Sequence, residues 1–194
     1  AIFDNRILEK INNNQVDFII STGNNLRDGD ESKYRVFYRT LEKMNIPFLT
    51  AIGSKEIKDD GNENFYKYFG PFYFSFQIDD SYFIFLDTTE NTNLNWQKQW
   101  LESELQQAQG YEKKVVIMNK TPIKIDTEYL IDDSIKYIED ESLRDYYQNI
   151  FATYDVNSVF SSNLELYHQK EIRGVNYFVS GGAGGELIFD NEKT

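Results

Sequence analysis

The sequence predicts one α/β domain built around a layered β-sheet. Strand-length apolar runs alternate with helix-periodic segments through the first half, and strand-like runs come in pairs in the middle and near the end. This order is typical of helices packed on sheets. No repeat, low-complexity linker or change of composition divides the 194 residues. We therefore predict a single domain over residues 1–194.

The first half alternates helices and strands. The Asn-rich segment after residue 11 predicts the end of a first helix, and Gly53 the end of a second strand. We predict helices over 5–13 and 32–44, strands over 16–20 and 47–52, and a polar loop over 58–70.

The second half begins with a predicted hairpin, because two aromatic runs flank Asp79-Asp80-Ser81. A helix with Trp and Leu in register follows and ends at Gly110. We predict hairpin strands over 72–76 and 82–86, helices over 95–109 and within 125–154, and further strands over 115–118, 157–160 and 174–180.

Composition excludes several classes of protein. The formal net charge of −12, with no block of Lys or Arg, disfavours nucleic-acid binding, since such surfaces must be positive. No apolar run is long enough to span a membrane. Without cysteine there is no disulfide, thiolate metal site or cysteine nucleophile. No signal peptide is visible, and the compartment stays open because exported and cytoplasmic proteins can both lack cysteine.

Unusual polar segments follow four of the strands, at the edge where α/β sheets carry their sites. They read Ser21-Thr22-Gly23-Asn24-Asn25, Ala51-Ile52-Gly53-Ser54-Lys55-Glu56, Ile117-Met118-Asn119-Lys120-Thr121-Pro122 and Phe160-Ser161-Ser162-Asn163-Leu164-Glu165.

In this order the segments resemble the motifs of the calcineurin-like metallophosphoesterases, particularly the purple acid phosphatase-like branch. That family has Gly-Asp-Asn, Gly-Asn-His-Asp/Glu, a His shortly before Pro, and Gly-His-x-His. Leu86-Asp87-Thr88 and the closing run 174–184 resemble further family segments, so the likeness extends from about residue 17 to 185. The resemblance implies a layered β-sandwich flanked by helices. We expect the family's first strand, with its Asp-x-His motif, to lie outside this chain.

The resemblance also implies where metal ligands would stand. The family holds a binuclear Fe, Mn or Zn centre, bridged by the Asp of Gly-Asp. That Asp aligns with Asn24, and the Asn and His of the second motif align with Ser54 and Lys55. In the later motifs the His before Pro aligns with Asn119. The two His of the last motif align with Asn163 and Glu165.

None of these six ligand-equivalent positions keeps the family residue. Amide oxygens are weak, uncharged ligands compared with carboxylate and imidazole, and the Lys55 ammonium would repel a nearby dication. We therefore expect no metal cofactor, and we assign no catalytic residue. A sharper hypothesis is that the Lys55 ammonium pairs with Glu165 and hydrogen-bonds Asn24, Asn119 or Asn163.

Other polar features have simpler interpretations. We interpret His168, the single histidine, as a surface or satisfied core residue, and the acidic group Asp28, Asp30 and Glu31 as a solvated loop rather than a calcium site. The glycines of 181–185 fit a tight turn better than a phosphate cradle. The glycosylation pattern at Asn119 is interpreted as coincidence.

Three functions follow from the sequence. The favoured one is a pseudo-phosphoesterase that serves as a binding or scaffold module, with an anion or phosphate-like ligand in the cleft or a protein partner. The second is an active metal-dependent phosphoesterase, for phosphomonoesters or phosphodiesters, with atypical or deliberately replaced ligands. The third is a structural or interaction domain of a larger exported protein. Substrate and oligomeric state cannot be predicted from this sequence.

Overall fold

The computed structural model describes residues 11, 16–89, 91–125, 137–164 and 166–181. Within these ranges, β-strands form two sheets, one of two strands and one of six. No helix in this part of the chain has the length and apolar character that a membrane crossing requires.

The larger sheet is mixed, with parallel strands inside and an antiparallel strand at each edge. Its strands in sequence order are β3 (Phe74–Ile78), β4 (Ser81–Leu86), β5 (Lys113–Lys120), β6 (Ser158–Ser162), β7 (Tyr167–Ile172) and β8 (Val175–Ser180). Their order across the sheet is β3-β4-β5-β6-β8-β7. Strands β4, β5, β6 and β8 run parallel, whereas β3 and β7 are antiparallel to their neighbours. The carboxyl ends of the parallel strands therefore share one edge.

The smaller sheet pairs β1 (Ile19–Ser21) with β2 (Phe48–Thr50) in parallel. Strand β1 is followed by α1 (Glu31–Leu41), and β2 by a short 3-10 turn and α2 (Asn62–Phe69). Two longer helices belong to the larger sheet, α3 (Leu94–Gln107) and α4 (Glu141–Thr153).

Three apolar clusters order these elements into four layers. The first joins one face of the six-stranded sheet to α3 and α4 through Leu101, Leu105 and Phe151. On the opposite face Phe85 and Ile117 pack with residues of β1 and β2. The third cluster joins the two-stranded sheet to α1 and α2. Two sheets thus pack face to face between two pairs of helices, as the predicted layered sandwich requires.

Most predicted elements are present, with ends shifted by a few residues, but the predicted loop over 58–70 is wrong. It contains α2, which buries Phe65 and begins after Gly61 without a side-chain cap. A short helix without a capping side chain lacks the usual sequence signal. Of the predicted helix over 5–13, only Ile11 is described, and it is helical.

Strand β7 was not predicted as a separate element. Its residues are mostly exposed and polar, because it is an edge strand that pairs only with β8. The link to β8 passes through Arg173 and Gly174, both with positive φ, 55° and 81°. A Gly at the second of two such positions is typical of a two-residue hairpin turn.

Candidate functional site

The loop after β1 presses against the loop after β2 at the carboxyl edge of the sheets. Gly23 has a φ of +90°, and a Cβ there would lie 3.0 Å from both Ala51 O and Gly53 N. Asn24 follows with a φ of 58°, a left-handed conformation that Asn tolerates better than most residues. The tight turn places the Asn24 side chain toward the end of β6.

Asparagine side chains connect three of the four loops that the sequence singled out. Asn24 Nδ2 donates to Asn163 Oδ1 at 2.7 Å. Asn119 Nδ2 donates to Thr22 O at 2.9 Å and to Ser162 Oγ at 3.2 Å. The structure therefore brings together Asn24, Asn119 and Asn163, which we call the amide cluster.

The segment after β2 meets the amide cluster through its backbone. Lys55 N donates to Asn24 Oδ1 at 3.1 Å, while the Lys55 side chain is exposed and Ser54 is half-buried. Across the described ranges the Lys55 ammonium has no hydrogen bond or ion pair, so the predicted bonds from it to Asn24, Asn119 or Asn163 are absent and only its backbone N–H reaches Asn24. Glu165 lies outside the described residues, so its predicted pairing with Lys55 remains a prediction.

A buried carboxylate, Glu56, joins the first two loops. Its Oε1 accepts the backbone N–H groups of Asn25 and Leu26, at 2.5 and 3.1 Å, and its Oε2 accepts those of Asn24 and Gly53, at 2.8 and 3.1 Å. We call this arrangement the Glu56 junction. Burial raises the pKa of Glu56, while the N–H donors of the first loop oppose that rise.

Sequence reasoning gave Glu56 no role, although one signal was present. Glu56 stands where the second motif of the family has its Asp or Glu, and it is the one polar residue of that motif that this chain retains. Because it is not one of the ligand-equivalent positions, only the structure reveals its hydrogen bonds.

Asp87, at the end of β4, is a second buried carboxylate near this edge. Its Oδ1 accepts Thr89 N at 2.7 Å, and its Oδ2 accepts Thr92 Oγ1 at 2.5 Å. The side-chain amide of Gln97 on α3 bonds to both backbone groups of Asp87, at 2.9 and 2.8 Å. Asp87 therefore shapes the connection from β4 to α3.

The acidic residues that follow the first loop take part in helix capping and in ion pairs. Asp30 caps α1 by accepting Ser32 N at 2.8 Å, and the Ser32 hydroxyl, together with this N–H, lowers the pKa of Asp30. Glu31 pairs with Lys67 at 2.8 Å, and Asp28 lies 3.7 Å from the Lys33 ammonium. These surface contacts fit the predicted solvated loop.

His168 lies on the edge strand β7, opposite Val179 of β8. Its side chain is half-buried and faces Lys170, and both partial burial and that ammonium lower the pKa of His168. No contact places it among the described loops of the candidate site.

The donors among the described residues do not fit two dications. Within the described residues, no three His, Cys, Asp or Glu side chains come together in a group that could hold a metal ion. In the amide cluster, both ends of the Asn24 amide are already hydrogen-bonded. Asn119 Oδ1 is fully buried and has no partner within the described residues. One neutral oxygen cannot replace the carboxylate and imidazole ligands that such ions require.

Comparisons with known proteins find similar solved structures. No protein-family model and no curated protein matches the chain. GAP50, described as the anchor in the inner membrane complex of Plasmodium, matches with 19% identity and a TM-score of 0.67, covering 96% of this chain and 69% of that one. Purple acid phosphatase PPD1 from yellow lupin seeds matches with 15% identity and a TM-score of 0.72, covering 97% of this chain and 40% of that one.

Both similarities extend over nearly the whole chain, as the order of the motifs predicted. This chain spans about two thirds of the GAP50 chain and less than half of the lupin phosphatase chain. At such low identity the likeness establishes the fold and not the activity.

Proposed function

We propose that this chain, which has the calcineurin-like metallophosphoesterase fold, is a non-catalytic module that binds or holds a partner. The fold itself is common to the solved structures that it resembles. Function has to be argued from the site, because one fold can carry many activities.

The observation that carries the proposal is the hydrogen bond between Asn24 Nδ2 and Asn163 Oδ1, at 2.7 Å. Asn24 is aligned with the carboxylate that would bridge two cations, and Asn163 with one of the histidine ligands. Here their side chains bond directly to each other. A bridging role would need a shared negative charge, whereas the Asn24 amide is neutral and both of its polar ends are used.

The chemistry of phosphoester hydrolysis supports the same conclusion. Metal-assisted hydrolysis needs cations that polarise the phosphoryl group and lower the pKa of a bound water. Of the described ligand-equivalent positions, four are amide or hydroxyl residues and the fifth is Lys55. The amide and hydroxyl side chains among them are poor general bases, and the Lys55 ammonium carries the charge that would repel a dication.

The likeness to GAP50 supports a holding role by analogy. That protein is described as an anchor, and it matches 96% of this chain. The analogy concerns fold only, so the partner of this chain has to be found by experiment.

The test is metal analysis combined with an activity assay on the longest natural form of the protein. The protein is purified without chelator, its Fe, Mn and Zn content is measured by mass spectrometry, and p-nitrophenyl phosphate and bis-p-nitrophenyl phosphate are assayed with and without added Mn²⁺. We expect far less than one metal ion per chain and no turnover above buffer. Two ions per chain with metal-dependent turnover would establish the phosphoesterase alternative instead.

A titration with inorganic phosphate separates two versions of the proposal. If the cleft accepts an oxyanion, phosphate raises the melting temperature in a saturable way, as linkage requires. If the module only holds a protein partner, phosphate has no more effect than chloride at equal ionic strength.

A further inference from the structure

The described residues contain two buried glutamates, Glu56 and Glu104, with different kinds of hydrogen-bond partner. We propose that Glu56 is the positioning residue of the candidate site. Its carboxylate holds the loops after β1 and β2 in place, so that no cation is needed to fix them. This inference rests on the proposed function in one respect only, which is that the candidate site works without a metal ion.

The first step is the identity of the four donors. Asn24, Asn25 and Leu26 belong to the loop after β1, and Gly53 to the loop after β2. Each carboxylate oxygen accepts two of these N–H groups. A backbone N–H can only donate, and an unsatisfied buried donor costs about 1–3 kcal/mol. The donors therefore require an acceptor with two oxygens at this position.

The second step is that one contact holds Glu56 from outside the amide cluster. Its backbone carbonyl accepts the Tyr34 hydroxyl from α1 at 2.9 Å, and its side chain is buried. Gly53 leaves no free space beside it, because a Cβ there would lie 2.7 Å from Glu56 Oε2 and 2.6 Å from Asn24 N. Tyr34 therefore holds the Glu56 backbone from α1, outside the amide cluster, while Gly53 and Asn24 enclose the carboxylate.

The third step connects Glu56 to the amide cluster. The bond from Asn24 N to Glu56 Oε2, at 2.8 Å, anchors a residue with a φ of 58°. From that conformation the Asn24 side chain reaches Asn163 Oδ1 and accepts Lys55 N. Loss of the carboxylate should therefore release Asn24 and, with it, the contact between the loops after β1 and β6.

Glu104 on α3 provides a matched control. Its Oε2 accepts the hydroxyls of Ser75 and Tyr82, at 2.5 and 2.6 Å. A hydroxyl can rotate and can accept as well as donate, so a glutamine at position 104 can pair with both groups again. A glutamine at position 56 would instead turn its NH₂ group toward backbone N–H groups that cannot accept.

The experiment compares Glu56→Gln with Glu104→Gln in the full chain by amide hydrogen exchange. We expect Glu56→Gln to lower protection at residues 24, 25, 26 and 53 by roughly tenfold or more, with the helices α3 and α4 unchanged. Glu104→Gln should leave those four amides as in the wild type. Wild-type protection at all four in Glu56→Gln would overturn the inference.

Chelation is the second measurement, and it remains decisive if Glu56→Gln fails to fold. We expect EDTA to leave the protection of these amides in the wild-type protein unchanged. A loss of protection with EDTA would mean that cations hold the loops, which overturns the inference. Metal-dependent phosphatase activity with EDTA-insensitive loops would instead overturn the proposed function alone.

Discussion

The Glu56 junction and the amide cluster are adjacent, yet their buried polar groups find hydrogen-bond partners in different ways. In the junction, a charged group lies among four backbone donors and satisfies all of them. In the amide cluster, neutral side chains bond to one another, and Asn119 Oδ1 has no partner within the described residues. The difference teaches that the hydrogen bonds that shape these two loops come from Glu56 and not from the residues at the described ligand-equivalent positions.

The strongest way to break this comparison is to place a carboxylate on the amide side. In Asn119→Asp the fully buried side chain loses its donor bond to Thr22 O, and among the described partners only the Ser162 hydroxyl can turn and donate to the new charge. We expect the free energy of unfolding to fall by about 3–5 kcal/mol at neutral pH. Urea unfolding followed by circular dichroism measures it.

The matched control for that change is Asn93→Asp. Asn93 caps α3 from an exposed position, accepting Asn95 N and Trp96 N, and Asp caps helices as well as Asn does. We expect a change within about 0.5 kcal/mol. If Asn119→Asp were equally harmless, the amide side would be able to accommodate a charge and the comparison would be wrong.

A smaller effect is expected where the two regions touch. In Gly53→Ala the new methyl group would meet Asn24 and Glu56 together, so both the junction and the Asn24 contacts must shift. We expect a loss of about 2–3 kcal/mol. Gly110→Ala is the control, since a methyl group added there would meet open space among the described residues, and the change should be nearly neutral. Equal melting temperatures for the two variants would contradict the close packing of the loops.

The smallest effect concerns pH. The amide cluster and the Glu56 junction contain no imidazole, and His168 lies on β7, with its pKa lowered by partial burial and by Lys170. Because the folded state binds the proton less tightly than the unfolded state, stability is complete above about pH 6.5 and decreases as the pH falls through the folded pKa. For a group this exposed the change should stay below about 0.5 kcal/mol. Unfolding at pH 5.5 and 8 in wild type and His168→Gln isolates it, and a larger difference between the two proteins would point to stronger coupling of His168.

The resemblance to a known family predicted the layered sheets and the convergence of the strand ends that carry Asn24, Asn119 and Asn163, because the corresponding strand ends converge in that family. Sequence reasoning missed α2 and β7, since a short helix capped by Gly61 and a polar edge strand lack a strong periodic signal. It also missed the role of Glu56. Buried backbone donors leave no trace in composition or spacing, so only the structure shows which carboxylate accepts their hydrogen bonds.

The contact between Asn24 and Asn163 also bears on the order of folding, because it joins residues 139 positions apart in the chain. Closing so long a loop costs entropy that local contacts do not repay, and parallel strands far apart in sequence form late in folding. During synthesis, β1, β2 and α1 leave the ribosome well before β6. We therefore expect the contact between Asn24 and Asn163 to form after the Glu56 junction, whose partners lie at most 32 positions apart.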